Sequence, residues 1–328
     1  LFLDEPAIVA MNMVGMEFNA IGNHEFDRGT EELKRMQDGG CVKHTLAEPC
    51  RVDRPFPGAK FRQLAANTVM ADGKTLFPPY GLKTFGKGRK AVTIGFIGLT
   101  LKGTGNLVSI ARIKGITFGD EAETANALIP KLKAAGADAI IVLIHEGVFT
   151  KADPNDAACT GVSGPLMGII DRLDPAVDVV VSGHTHWAYA CDYGKVNPAR
   201  PVLLTSAGYK GQFVTGIDLK IDPVAGRVVS KSARNVVVQS VTYEGPRGAI
   251  VTVKPDFPAF PARPDVATLA KRYAEAAKRE EERVVGTLAG AASRDKNPSG
   301  ESVLGKLIAG AQLAATQSAD AGGAQIAF

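Results

Sequence analysis

The stretch that most constrains this chain is Val177-Asp178-Val179-Val180-Val181-Ser182-Gly183-His184-Thr185-His186. Its β-branched run reads as a buried strand, and Gly183 lets the backbone turn where the strand ends. His184 and His186 then lie one residue apart on a strand-end loop, where both imidazoles reach the same small volume, an arrangement that points to metal. The chain has only five histidines. Two more, His24 in Gly22-Asn23-His24-Glu25-Phe26-Asp27 and His145 in Ile144-His145-Glu146-Gly147, also follow apolar strand-like runs. Any one of them alone reads equally well as a hydrogen-bonded loop histidine. Four in one context are different, because α/β folds assemble ligand and catalytic groups on strand-end loops along one side of the sheet.

The segments around these loops alternate. Residues 6–16 place Ala7, Ile8, Ala10, Met11 and Val14 at helical spacing, and residues 18–21 form a short strand that delivers Gly22. Thr30 is placed to cap a helix over 31–36, whose acidic first turn suits the helix dipole. The Pro, Gly and Cys content of 39–58 predicts an irregular insertion, after which 61–66 and 91–99 return to strand character. Asp120 with Glu123 makes a capping-box-like start to a helix with Ala122, Ala125, Leu128, Ile129 and Leu132 on one face. Gly136 ends it and strand 139–144 follows, which predicts a layered α/β domain. Beyond Gly183, segments 201–206, 212–221 and 227–240 read as strands of a second, more antiparallel sheet. Pro255, Pro258, Pro261 and Pro264 predict an extended connector, followed by a solvated helix of mixed charge over 266–283. Segment 284–289 and a helix over 302–316, with Val303, Leu304, Leu307, Ile308 and Ala311 on one face, read as the opening of a second domain.

With 328 residues, 45% of them hydrophobic, the chain can bury a sizeable core. Lys plus Arg exceeds Asp plus Glu by 38 − 34 = 4, with the signs mixed, so no basic patch marks a docked nucleic acid. Runs such as 139–144 are far too short to span a bilayer. Four cysteines, Cys41, Cys50, Cys159 and Cys191, lie in loop-like stretches without C-x-x-C spacing. The even count favours Cys41 with Cys50 and Cys159 with Cys191, which needs an oxidising compartment; the alternative is four free thiols in a cytosolic protein.

Gly22-Asn23-His24-Glu25-Phe26-Asp27, His145-Glu146-Gly147 and Gly183-His184-Thr185-His186, in this order, resemble the 5′-nucleotidase family of the calcineurin-like metallophosphoesterases. The likeness runs on through Leu64-Ala65-Ala66-Asn67 and Asp120-Glu121-Ala122-Glu123 to Gly300-Glu301-Ser302. It implies a layered α/β/β/α sandwich over residues 1–253, a linker and bridging helix over 254–283, and the beginning of a C-terminal α/β substrate-binding domain over 284–328. It further implies two divalent ions, zinc or manganese, bridged by an aspartate. Asn23, His145 and His184 would hold one ion and His186 would contribute to the other, while an activated hydroxide attacks the phosphoryl group. His24 would touch the phosphate without binding metal, and Asp27 would orient it.

Family members also supply Asp-x-His and Gly-Asp from earlier strands, and neither precedes Gly22. The resemblance therefore implies a chain cut at both ends and inactive as it stands, with the base-binding side chains beyond Phe328. The implied substrate is a nucleoside 5′-monophosphate, and the implied location is the periplasm or outside the cell. A 2′,3′-cyclic-nucleotide phosphodiesterase/3′-nucleotidase or a UDP-sugar hydrolase would use the same loops. A metal-binding module without turnover is the non-enzymatic reading. Glu25 and Glu146 read as loop anchors, Asn67 as a turn residue and Trp187 as a packing residue. The sequence leaves the oligomeric state open.

Overall fold

The computed structural model describes residues 1–239, 241–244, 249–254 and 256–328. The expected strand end at Ser240 and the connector residue Pro255 lie outside them. Two compact units divide between Ala274 and Glu275.

In the first unit, α1 (Glu5–Val14) leads to β1 (Phe18–Ala20) and α2 (Thr30–Asp38). Thr30 is the first residue of α2 and Gly29, with φ 89°, takes the cap position, so the capping expectation was one residue late. Then follow β2 (Arg62–Leu64), β3 (Thr68–Met70), β4 (Tyr80–Phe85), β5 (Val92–Leu99), β6 (Ile116–Phe118), α3 (Glu121–Ala134) and β7 (Ala139–Ile144). The Asp120 side chain accepts the Glu123 backbone N–H, as its spacing predicts. After α4 (Pro165–Ile170) come β8 (Val179–Ser182), β9 (Ala188–Asp192), β10 (Leu203–Ala207), β11 (Phe213–Asp222) and β12 (Arg227–Val237). Two short strands, β13 (Thr242–Glu244) and β14 (Ile250–Thr252), precede α5 (Pro264–Glu281), within which the unit boundary falls.

The main sheet runs β4-β5-β7-β8-β10-β9, with its four inner strands parallel and both edges antiparallel. Alternation along β7 sends Ile140, Val142 and Ile144 to one face and Ile141 and Leu143 to the other. The first face packs on α3 and α4 through residues such as Leu132 and Leu166, both fully buried, each contributing about 2 kcal/mol. The second face meets the β11–β12 hairpin through Ile217, Leu219 and Ile221. This is the layered arrangement expected, with one correction. Segment 201–206 does not join a second sheet, because β10 pairs parallel with β8 inside the main one and only β11–β12 stands apart.

Both expected disulfides are formed, with Cα separations of 5.6 Å for Cys41–Cys50 and 5.2 Å for Cys159–Cys191. The first-unit part of α5 is less solvated than its charge implied: Leu269 and Tyr273 are buried, and the Tyr273 hydroxyl donates to Asp53 (2.8 Å). In the second unit, α6 (Val303–Thr316) is capped by the Ser302 side chain, and its apolar residues Val303, Leu307 and Ile308 are exposed. Among the described residues no helix is long and apolar enough to cross a membrane.

Candidate metal centre

Strand register decides where the histidines go. Leu99 on β5 pairs with Ile144 on β7, and Ile144 with Ser182 on β8, so three parallel strands end level. The residues that follow leave along one edge, which is where open α/β sheets place their ligands. His145 comes directly after β7 and donates its backbone N–H to Leu99 (2.9 Å). His184 is the second residue after β8. From the other side, β1 brings in the 22–23 segment against the His145 ring. A Cβ on Gly22 would lie 2.6 Å from Cε1 and Nδ1 of His145, so only glycine permits this approach.

Three donor atoms converge as a result. Asn23 Oδ1 lies 2.8 Å from His145 Nε2, and His184 Nδ1 lies 3.3 Å from that same nitrogen. Two donors bound to one ion at about 2.0–2.1 Å are separated by about 3.0 Å at octahedral and about 3.4 Å at tetrahedral angles. The two observed separations fall near that range, and both contacts are at the same time hydrogen bonds to the His145 ring nitrogen. Two imidazoles and an amide oxygen suit zinc, manganese or iron better than magnesium or calcium. Burial pushes His145 down to about 4, and the neighbouring His184, His24 and His186 push the same way, so its ring is neutral at physiological pH. Among the described residues no trio of His, Cys, Asp or Glu is grouped to hold an ion; three donors are reached only by counting the Asn23 amide.

The two histidine loops are fastened together. Thr185 Oγ1 donates to Val148 O (2.9 Å), Gly183 N to Glu146 O (3.3 Å), and Val148 N to the Tyr189 hydroxyl (3.1 Å). Tyr189 also shares a 2.6 Å hydrogen bond with Ser182, which donates to Thr205 O. Gly147 has no room for a Cβ, which would sit 2.4 Å from Gly183 O. His184 and His186 both adopt left-handed backbone, φ 64°, a conformation costing roughly 1–2 kcal/mol per residue and held by such surroundings.

The remaining candidates are placed differently. His186 stacks on Tyr209, ring centres 5.0 Å apart and planes 10° from parallel, rather than joining the Asn23–His145–His184 contacts. His24 is 75% exposed and its Nδ1 lies 2.8 Å from Asp27 Oδ2. Both line a cavity of about 630 Å³ floored by Met11, Met16 and Met36. Glu25 and Glu146 do anchor loops, accepting backbone N–H groups of Gly22 (2.6 Å) and Gly147 (2.9 Å). Asn67 is buried and bonded to Thr100 and Gly119, a structural role. Sequence reasoning missed Tyr189 and Tyr209, since no local pattern marks an aromatic residue that meets the histidine loop only in three dimensions. Trp187 corrects an expectation: it is 41% exposed and not packed away.

Comparison with known proteins gives the family of the chain. The profile of the calcineurin-like phosphoesterase family matches residues 8–188. The Bacillus subtilis endonuclease YhcR is 30% identical over 96% of this chain and 23% of its own length. The 5′-nucleotidase of Vibrio cholerae is 31% identical over 55% of this chain and 28% of its own. The crystal structure of a Thermus thermophilus 5′-nucleotidase precursor shares the fold, with a TM-score of 0.62 and 20% identity over 97% of this chain and 55% of that one. The chain thus spans less than half the length of the curated relatives it matches.

Proposed function

Because this chain belongs to the calcineurin-like phosphoesterases, and within them to the 5′-nucleotidase family, we propose that it is a divalent-metal-dependent phosphohydrolase of nucleoside 5′-monophosphates. The observation that carries the reading is the convergence of Asn23 Oδ1, His145 Nε2 and His184 Nδ1. These three would hold one ion, and His186 would contribute to a second. Divalent ions in such a centre supply Lewis-acid stabilisation of phosphoryl charge and activation of water.

The rest of the work falls to this chain's own groups. Asp27 accepts a hydrogen bond at His24 Nδ1, which leaves His24 Nε2 to meet the phosphate and steady the charge that develops there. The exposure of His24 fits a group that acts on incoming substrate and not as a ligand. The Tyr189–Ser182–Thr205 chain keeps the His184 loop in register with the His145 loop. Two disulfides support an exported, periplasmic or secreted protein. Residues 284–328 are proposed as the start of the substrate-binding domain.

Hydrolysis by the full-length protein of adenosine 5′-monophosphate to adenosine and phosphate, of 2′,3′-cyclic AMP to 3′-AMP and of a UDP-sugar to UMP and sugar phosphate, measured after chelation and after return of zinc or manganese, tests the reading. The monophosphate should be preferred and chelation should abolish turnover. Failure of every substrate to be hydrolysed with every metal would refute it.

A further inference from the structure

His24, His145 and His184 each have a ring nitrogen in contact with a protein group: Asp27 for the first, Asn23 and one another for the other two. His186 differs. Among the described residues neither of its ring nitrogens has a hydrogen-bond partner, and its ring instead lies face to face with Tyr209, centres 5.0 Å apart and planes 10° from parallel. A histidine that binds an ion is ordinarily held by a hydrogen bond at its other ring nitrogen, which fixes the orientation of the ring. For His186 an aromatic face stands where that hydrogen bond would be.

The contact is built from the backbone up. Strands β9 and β10 pair antiparallel and end on Ala188↔Ala207, so the residues before Ala188 and after Ala207 leave the sheet side by side. Gly208 crosses close to the histidine loop, since a Cβ there would lie 3.4 Å from Ala188 Cβ and 3.7 Å from His186 O. Its N–H donates to Ser206 Oγ (3.4 Å), and Ser206 Oγ donates to the Trp187 carbonyl (2.7 Å), so one hydroxyl joins both loops. Gln212 N donates to Tyr209 O (3.2 Å) and closes the turn. Within it Lys210 is left-handed, φ 55°, a conformation that a residue with a Cβ keeps only where its surroundings hold it. The Lys210 ammonium lies 5.4 Å from the centre of the Tyr209 ring. Tyr209 itself is 42% exposed, so the core does not depend on its ring.

We propose that Tyr209 is a positioning residue for the second ion, its ring holding the His186 imidazole in the orientation from which that ion is bound. The inference rests on the reading that His186 serves the second ion. An ion binds in the plane of an imidazole, at a nitrogen lone pair, whereas Tyr209 covers the face, so the two contacts do not compete. They reinforce each other, because a metal-bound imidazole takes on part of the ion's positive charge and a phenol face attracts positive charge. A stack that is stronger in the ion-bound state raises the affinity for the ion. It also limits the freedom that an exposed side chain would otherwise lose on binding.

Cobalt(II) titrated into the full-length, metal-free protein, and followed by its visible absorption bands and by calorimetry, reads ion binding without any turnover. His186→Ala should abolish one of the two binding steps, which identifies the step that His186 serves. Tyr209→Leu, which keeps apolar bulk without a π-face, should weaken that step about 10- to 100-fold, the range for losing a group that orients a ligand, and leave the other within twofold. Tyr209→Phe, which keeps the face and removes only the hydroxyl, should bind as the parent does. The metal-free Tyr209→Leu protein should unfold at the parental temperature. Retention of both steps in His186→Ala would refute the reading of His186 as a ligand. Where His186→Ala does lose a step, three results would overturn the role of Tyr209 alone: a parental value of that step in Tyr209→Leu, an equal loss in Tyr209→Phe, or a lowered unfolding temperature with both steps weakened together, which would make the ring merely structural.

Discussion

Replacing Gly22 by alanine is the sharpest test of how the centre is built. Gly22 has no need of left-handed backbone, so the added methyl acts through space alone. Its carbon would lie 2.6 Å from Cε1 and Nδ1 and 2.8 Å from Cγ of His145. Ordinary contact between such atoms begins near 3.5 Å, so the ring or the 22–23 segment must retreat by about 0.8–1 Å. Metal ligation tolerates displacements of only about 0.2 Å. The His145 Nε2–Asn23 Oδ1 pair at 2.8 Å should therefore open, and the two donors should no longer reach one ion together. Disturbing a ligand's support typically lowers metal affinity about 10- to 100-fold, and here two ligands move apart, so the upper part of that range is expected. Titration calorimetry with zinc or manganese, beside thermal unfolding of the metal-free protein, gives both quantities. Metal affinity within twofold of the parent, in a folded Gly22→Ala variant, would refute the shared-ion reading of these contacts.

Three further outcomes are expected. In the intact enzyme with its N-terminal segment restored, His24→Ala should keep metal content near normal and lower turnover by about 10²–10⁴-fold, with Asp27→Asn acting in the same direction but less, whereas His184→Ala should lose metal and activity together and recover in part at high metal; metal analysis beside kinetics checks this, and a metal-depleted His24→Ala rescued by added metal would make His24 a ligand. The paired Arg172 guanidinium holds the Asp120 carboxyl down at about 2, so its stabilising share is present above the ordinary value near 3.8 and is lost as pH falls from there toward 2. After allowance for the half-exposed arginine that share is about 1–2 kcal/mol, and Asp120→Asn should be less stable by that amount at pH 7 and indistinguishable near pH 2 in denaturant unfolding. Opening the Cys159–Cys191 bridge, which spans 32 residues, should cost about 3–4 kcal/mol of unfolding free energy and opening Cys41–Cys50, which spans 9, about 2–3 kcal/mol, read from denaturant curves of the Cys→Ser pairs.

The strand ends were legible because the alternation that buries a strand on both faces is written in its residues: Ile140 to Ile144 and Val179 to Val181 are apolar whichever neighbour they pair with. That same property hides the partner. Segment 201–206 has the apolar run of a buried strand, and nothing in a period of two distinguishes the parallel pairing Leu203↔Val179 from membership of an antiparallel second sheet. The edge strands β4 and β9 were invisible for a related reason, since an edge needs burial on less of its surface and Tyr80–Phe85 carries no clean pattern. At the site, motif spacing located Asn23, His24, His145, His184 and His186 on loops, but not which of them meet. His184 turns toward His145 while His186, two residues on with the same φ of 64°, stacks on Tyr209. In extended backbone, residues two apart face the same way; two left-handed residues flanking Thr185 break that rule, and the turn therefore sends one imidazole to His145 and the other to Tyr209. A loop that presents one ring to each neighbour suits an assembly in which His184 completes one ion's ligands and His186 serves a second position. Exchanging Thr185 for glycine would test that division, because releasing the Thr185–Val148 hydrogen bond frees the turn and should loosen His186 and His184 together, lowering affinity at both positions by similar factors.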